Sequence, residues 1–455
     1  MSSQRALGRG LARDIARATG DRSSHVHSAE PMASRSGARD AVRASMDLQA
    51  EVKWPAEWPD QLLEIAALAN RGWRPTPFRQ YILKIHSRCN LACDYCYIYA
   101  MQDQSWRTRP VIMSLATVRQ TALRIAQSAK NHGLAEIAVV LHGGEPLLAG
   151  QAFIAATASI IRGALGPHVS GSLSVQTNGI LLTSELLDVL LEHDISVGVS
   201  LDGDRVSNDR HRRYASGRSS YYEAVRGLEP LSREPYSRLF TGILCVIDIS
   251  ADPIETYDTL RAFKPPSVDF VLPHGNWTRR PPGRPADSTA TPYANWLIAI
   301  FDRWYSAPNQ QTRIRFFEEI IHLCLGGQSR LEAVGLSPVG LIVIDTDGSL
   351  EQVDTLRSAF PGASATGLNV FAHDFDAALA HPSVIARQIG LAALSDTCMQ
   401  CAIHQICGGG YYPHRYQARS GFRNPSVYCP DLYKLIRHIQ RRLACDLRRL
   451  TETNL

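Results

Sequence analysis

No stretch of roughly eighteen or more consecutive apolar residues occurs in this chain, so a membrane-spanning helix is not expected. The N-terminal residues lack the apolar core of a secretory signal. Charge of one sign is not in excess either. The 48 Lys and Arg against 43 Asp and Glu leave a net +5 over 455 residues. That does not amount to the concentrated basic face that nucleic acid requires, so neither nucleic acid nor a membrane is an expected partner. Without an export signal, the ten cysteines point to a reducing, cytoplasmic compartment and to metal sites rather than disulfides. There is no internal repeat beyond an alternation of strand and helix patterns. With 45% hydrophobic residues the chain can bury a sizeable core.

What is present is concentrated. Seven of the ten cysteines fall in two tight groups. The first lies in Tyr81–Tyr97. Tyr81, Leu83 and Ile85 alternate with Ile82, Lys84 and His86, which predicts a strand. The strand breaks into a loop holding Cys89, Cys93 and Cys96. Three thiolates at this spacing can converge on one metal centre and leave a coordination position open. Tyr95, before the last cysteine, is suited to packing over a flat ligand. From the spacing alone a zinc site or buried thiols remain open. The second group is Cys398, Cys401 and Cys407, with Cys429 further on; four thiolates can close a structural site, and zinc is open there too. Cys245, Cys324 and Cys445 stand apart and read as small buried apolar residues.

Residues 1–50 are rich in Ser, Ala and Arg with no sustained apolar stripe, so disorder is expected. Residues 51–78 hold Trp54, Trp58 and Trp73 around a short helical pattern at 61–69, a cap packed on the body or a docking element. Strands are expected at Tyr81, 137–141, 173–175, 196–201, 241–247 and 268–272. Helices are expected between them at 114–131, 152–162, 184–192, 222–228 and 254–263. Ser114 is the expected N-cap of the first and Gly133 its stop. Six strands separated by helices argue for parallel βαβ units. Chemistry then belongs beyond the C-terminal strand ends. The runs Gly143-Gly144-Glu145-Pro146, Gln176-Thr177-Asn178-Gly179 and Ser200-Leu201-Asp202-Gly203 all fall there. Residues 279–292 read as a linker, Asp347-Gly348 as a hairpin turn, and helices are expected at 293–305, 314–325, 385–394 and 432–450.

The Cys-x3-Cys-x2-Cys loop after a first strand, with Gly143-Gly144-Glu145-Pro146 after the next, resembles the signature of the radical S-adenosylmethionine (SAM) enzymes. The resemblance implies an α/β fold: a partial (β/α)6 barrel over 79–278, bridging segments over 279–395, and a SPASM-like iron–sulfur extension over 396–455. It implies a [4Fe–4S] cluster on Cys89, Cys93 and Cys96 whose free iron binds SAM. Reductive cleavage would then yield a 5′-deoxyadenosyl radical. By the same resemblance Tyr95, Gly143, Gly144, Glu145, Asn178, Ser200 and Arg212 contact SAM, with Arg212 chosen over Arg210 and Arg213 for the SAM carboxylate. Cys398, Cys401, Cys407 and Cys429 would hold a second, auxiliary [4Fe–4S] cluster. The chain departs from the full SPASM pattern at Tyr411 and at Glu351-Gln352-Val353-Asp354, where ligands of an inner auxiliary cluster are missing. The runs Leu272–Trp277 and Gly408–Tyr416 resemble the FxsB-like branch of bacterial peptide maturases, which includes enzymes forming three-residue cyclophanes. That implies a precursor peptide as substrate, an external electron donor such as a flavodoxin or ferredoxin, and Asp202, His274 and Asn276 as candidate substrate-site residues. Thioether formation, epimerisation, formylglycine formation and a non-enzymatic peptide-binding scaffold remain as alternatives.

Overall fold

The strand expected at Tyr81 is β1, Gln80–His86, and it lies inside the largest sheet of the molecule. The computed structural model describes residues 57–59, 62–286 and 288–452. The expected disordered segment 1–50 and Trp54 lie outside them. Both faces of β1 are covered: Tyr81, Leu83 and Ile85 are buried, and so are Lys84 and His86. The next strands follow the expected series: β2 Glu136–Gly143, β3 Ser170–Thr177, β4 Ile195–Ser200, β5 Phe240–Val246 and β6 Ser267–Val271. Each pairs in parallel with its predecessor. Their C-terminal ends therefore open on one side of the sheet, as parallel βαβ units require.

Local signals set the crossover helices. The Ser114 hydroxyl accepts from Thr117 N at 3.0 Å and starts Leu115–Asn131. Beyond that helix, Gly133 takes φ +59°, a left-handed turn that ends it. Thr183 caps Ser184–Glu192 in the same way. A helix that periodicity did not suggest, Arg205–His211, follows β4; Asp204 caps it through Ser207 N at 2.8 Å.

The sheet continues past the expected six strands. A two-residue strand, β7 Arg313–Ile314, adds to β6. On the other side β8 Leu341–Ile344 pairs in parallel with β1, from Gln80↔Leu341 to Leu83↔Ile344. The Asp347-Gly348 turn leads to β9 Ser349–Glu351, antiparallel to β8 as expected of a hairpin. β10 Ala365–Asn369 lies outside β9. The sheet runs β10-β9-β8-β1-β2-β3-β4-β5-β6-β7.

The C-terminal region packs back on this body. The helix Cys429–Glu452 buries Leu432, Leu435, Ile436, Ile439 and Leu443 on one stripe and contacts the helix Pro292–Tyr305. Cys445 is exposed on it, contrary to the expectation of a buried apolar role, because it falls off that stripe. Trp58 is buried beside Tyr416 and Phe422, and its carbonyl accepts from Phe422 N at 3.2 Å. The Pro- and Arg-rich stretch at 279–292 is anchored to the same region: buried Arg284 stands 3.4 Å from Asp431 and donates to Val427 O. The helix expected at 385–394 does not form. One turn at Pro382–Ile385 and a 3-10 turn at Gly390–Ala393 stand in its place, separated where Gly390 adopts φ +54°. Among the described residues, no helix is long and apolar enough to cross a membrane.

Candidate active site

A cavity of about 460 Å³ opens beyond the C-terminal ends of β1 to β6, within the size range of small-molecule sites. Its wall gathers the three cysteines of the first loop, the strand ends of β2, β3 and β4, Arg212, and a far side built from distant segments. All seven residues that the resemblance assigned to SAM line it.

The cysteine loop is tied in place. Leu91 N donates to Cys89 Sγ at 3.4 Å, Cys96 N donates to the Cys93 carbonyl at 3.2 Å, and Ala100 N donates to the Cys96 carbonyl at 2.8 Å. Burial pushes the Cys89 thiol up to about 12 and Cys93 up to about 11. Buried and mutually close, these thiols would not ionise alone at neutral pH. A bound cationic centre supplies the missing compensation. Among the described residues no group of three or more His, Cys, Asp or Glu side chains is disposed to hold a single metal ion. Three cysteines on one loop suit a four-iron cube that keeps one iron open.

The glycines after β2 are there for the protein's own packing. Gly143 has φ +141°, and a Cβ on it would stand 2.1 Å from the His86 carbonyl oxygen. A Cβ on Gly144 would meet the Tyr99 hydroxyl at 1.9 Å and the Arg88 carbonyl at 2.5 Å. The pair lets β2 close against the cysteine loop. Glu145 is buried and fully engaged: Oε1 accepts from Leu147 N at 3.0 Å and Thr177 Oγ1 at 2.7 Å, and Oε2 accepts from Asn178 N at 2.8 Å. Burial nonetheless raises its pKa. Asn178 donates to Asn90 Oδ1 at 2.7 Å, and Gln176 donates to Ser200 Oγ at 3.0 Å. Glu145 thus stitches the β2 end to the β3 end, and Asn178 stitches β3 to the cysteine loop.

Arg212, at the end of Arg205–His211, is the arginine that reaches the cavity. Its guanidinium donates to Tyr95 Oη at 2.9 Å, and that hydroxyl donates to Asp202. Arg210 is instead paired with Asp248, and the Arg213 guanidinium turns to the Arg210 carbonyl. Asp202, a candidate substrate residue, lies beneath this chain. Its Oδ1 accepts from Val246 N at 2.9 Å, and burial raises its pKa. It orients Tyr95 and does not face the open space. Asn276 is also turned away: it donates to Ser358 O at 3.0 Å and accepts from Thr278 N and Arg279 N, each at 2.9 Å. Its role is to hold the loop after β6 and to tie that loop to the segment at Ser358.

His274 does line the cavity. Its ring stands edge-on to Tyr97, centroids 5.0 Å apart, with His414 at 5.7 Å and Tyr411 at 6.2 Å. Burial lowers the His274 pKa to about 4 and holds His414 well below its usual value, so both rings are neutral. His274 Nδ1 and His414 Nε2 are buried without a hydrogen-bond partner. Tyr97 and Tyr411 were not singled out as site residues by sequence. A tyrosine beside each cysteine group was the available signal.

The second group is carried by a turn at Asp396–Met399, by Cys401 and Cys407, and by Cys429 at the start of the last helix. The helix N-terminus favours a thiolate at Cys429. Cys407 is pushed up to about 12 and Cys429 to about 11, burial being the main cause and the neighbouring thiols adding to it. The four fit a closed cluster. No inner-cluster cysteine stands at 351–354. Glu351 and Asp354 instead belong to a buried charge network with Lys84, Asp345 and Arg357, and the Tyr411 hydroxyl lies 2.6 Å from Thr355 Oγ1.

Comparison with known proteins converges on this geometry. Residues 83–260 match the profile of the Radical SAM superfamily. The serine-type anaerobic sulfatase-maturating enzyme of Klebsiella aerogenes is 26% identical over 373 residues, spanning 78% of this chain and 86% of the relative. The cysteine-type enzyme of Clostridium perfringens is 25% identical over 288 residues, 61% of this chain and 74% of its own. The structure of native anSMEcpe with bound AdoMet shares the fold at TM-score 0.70 and 21% identity, over 81% of this chain and 99% of that one. Streptococcus suis SuiB bound to precursor peptide SuiA shares it at TM-score 0.52 and 15% identity, over 80% and 78%. With the cysteine loop, strand-end motifs and cavity assembled around the stretch 83–260 that matches the Radical SAM superfamily, the chain has the radical SAM fold and is an enzyme whose cofactors are S-adenosylmethionine and [4Fe–4S] clusters.

Proposed function

We propose that the enzyme matures a ribosomally made precursor peptide by joining a side-chain Cβ carbon to a nearby aromatic ring. The carrying observation is the far wall of the cavity, where Tyr97, His274, Tyr411 and His414 face the same space as Arg212 and the first cysteine loop. A peptide substrate is supported by the relatives: sulfatase-maturating enzymes modify a protein by name, and the SuiB structure holds a precursor peptide.

When bound, the first cluster and SAM supply a radical that abstracts hydrogen. The chain's own residues do the rest. Arg212, held by Tyr95, presents a planar cation to the SAM carboxylate. Gly143, Gly144, Asn178 and Ser200 border the place where SAM sits. Cys398, Cys401, Cys407 and Cys429 hold a second cluster, for two in all. The buried walls keep water from the reacting carbon and hold ring and carbon in contact. The reductant is an external donor such as a flavodoxin or ferredoxin.

A second reading is formylglycine formation, favoured by the sulfatase-maturating relatives. Formylglycine made from serine has lost two hydrogens, as the crosslink has, so intact mass does not separate those two; made from cysteine, it has also exchanged sulfur for oxygen by hydrolysis of the thioaldehyde, and intact mass does. Anaerobic turnover with SAM, a reductant and the short peptide encoded beside the gene should give a product whose tandem mass spectrum lacks cleavage between the joined residues. A product that reacts with hydroxylamine carries an aldehyde and establishes the second reading instead.

A further inference from the structure

Four aromatic rings meet where no ligand contact has yet been assigned. Tyr97 follows Cys96, the last cysteine of the first loop; His274 follows β6; Tyr411 and His414 follow the second cysteine group. Segments more than a hundred residues apart in sequence thus bring their rings to one wall of one cavity. Their mutual geometry is edge-to-face or tilted. His274 stands at 86° to Tyr97, and His414 at 88° to Tyr411, centroids 5.2 Å apart. Such an arrangement leaves ring faces and edges free toward the cavity, where a further ring can enter the same pattern.

Three further features favour a guest over simple packing. The rings border open space rather than the filled core. Neither His274 Nδ1 nor His414 Nε2 has a hydrogen-bond partner, so those nitrogens do not pin the imidazoles. Charge is also lacking on the rest of this wall: Tyr411 keeps its proton and both imidazoles are neutral. We propose that Tyr97, His274, Tyr411 and His414 form a subsite that takes an aromatic side chain of the peptide substrate. The subsite selects a ring over an aliphatic chain of equal bulk, since only a ring offers the complementary edge and face. This rests on the crosslinking reading above and specifies which part of the peptide lies against the far wall.

The test uses the full chain with both clusters reconstituted, and capped amino acids as probes: N-acetyl-tyrosinamide, N-acetyl-phenylalaninamide and N-acetyl-cyclohexylalaninamide. Ligand-observed NMR titration measures each affinity anaerobically. The two aromatic probes should bind about five- to tenfold more tightly than the cyclohexyl probe, the scale of one or two aromatic contacts. His274→Leu should remove most of that preference, and Tyr411→Leu should reduce it, in proteins whose circular dichroism and iron content match the parent. Should His274→Leu fail to fold, His274→Phe keeps a ring and should keep the preference, with Tyr411→Leu carrying the loss. Equal binding of tyrosyl and cyclohexyl probes overturns the subsite, as does a preference unchanged in folded His274→Leu and Tyr411→Leu. Failure of the crosslink with probe selectivity intact removes the crosslinking reading and leaves the subsite. A crosslink formed without probe selectivity does the reverse.

Discussion

Arg212 has no carboxylate in direct hydrogen-bond contact; its guanidinium rests on a tyrosine hydroxyl. Asp202 reaches it only through that hydroxyl, and the SAM carboxylate supplies a direct partner. Arg212→Ala should weaken SAM binding by about 1.5–3 kcal/mol, measured anaerobically by equilibrium dialysis. Arg210→Ala should leave it unchanged, since Arg210 is used on Asp248; the opposite result would reassign the role. His274 allows a pH prediction. Its folded pKa lies below the ordinary 6.5, at about 4. Its neutral form therefore contributes stability above about 6.5, and this is lost as pH falls toward 4. Thermal midpoints of the parent should drop over that window, and His274→Phe should drop less. Equal slopes would mean that His274 is already charged or solvated.

At the scale of elements, β1 does two jobs: it aims the cysteine loop, and it carries Lys84 into the charge network below the cavity. Lys84 Nζ stands 2.9 Å from Asp345 and 3.2 Å from Asp354. Arg357, fully buried, reaches Asp103, Asp345, Glu351 and Asp354. This network fastens β8 and β9 to the barrel strands. Arg357→Met would leave several carboxylates buried without their shared cation and should destabilise the fold by about 3–5 kcal/mol. Anaerobic urea denaturation checks it, and a loss under about 1 kcal/mol would show that water or Lys84 compensates. None of this was legible in the sequence. Lys84 and its partners are 261 and 270 residues apart, and no local pattern reports a contact of that range. By contrast, β1 to β6 and the Ser114 cap were legible, because alternation and capping act within a few residues. The helix expected at 385–394 is replaced by turns after Ile385, and the left-handed backbone at Gly390 keeps it from resuming. The cysteine groups were legible from spacing alone. Of the far wall only His274 was, because Tyr97, Tyr411 and His414 join it only after the chain has folded around the cavity.

On the scale of the whole molecule, the two cysteine groups lie in different supports. The first hangs from β1 at the sheet's C-terminal edge, and the second is built on short turns and the start of the last helix. Two four-iron sites imply about eight irons per chain. Cys401→Ala removes one leg of the second site, so iron should fall to about four. The variant should still cleave SAM in the absence of peptide, because no residue of the first loop or the SAM wall depends on Cys401. Peptide modification should be lost if the second site serves the later part of the reaction or the seating of the peptide. Loss of folding is the rival cause, since a closed metal site can carry folding energy. The region also has support that needs no metal: Trp58, Tyr416 and Phe422 pack together, and Arg284 pairs with Asp431. Circular dichroism and peptide affinity measured beside turnover separate the two causes. A folded, peptide-binding Cys401→Ala protein that modifies peptide at the normal rate would strip the second site of any part in the reaction. About twelve irons in the parent would mean that a third cluster finds ligands other than the missing cysteines at 351–354 and 411.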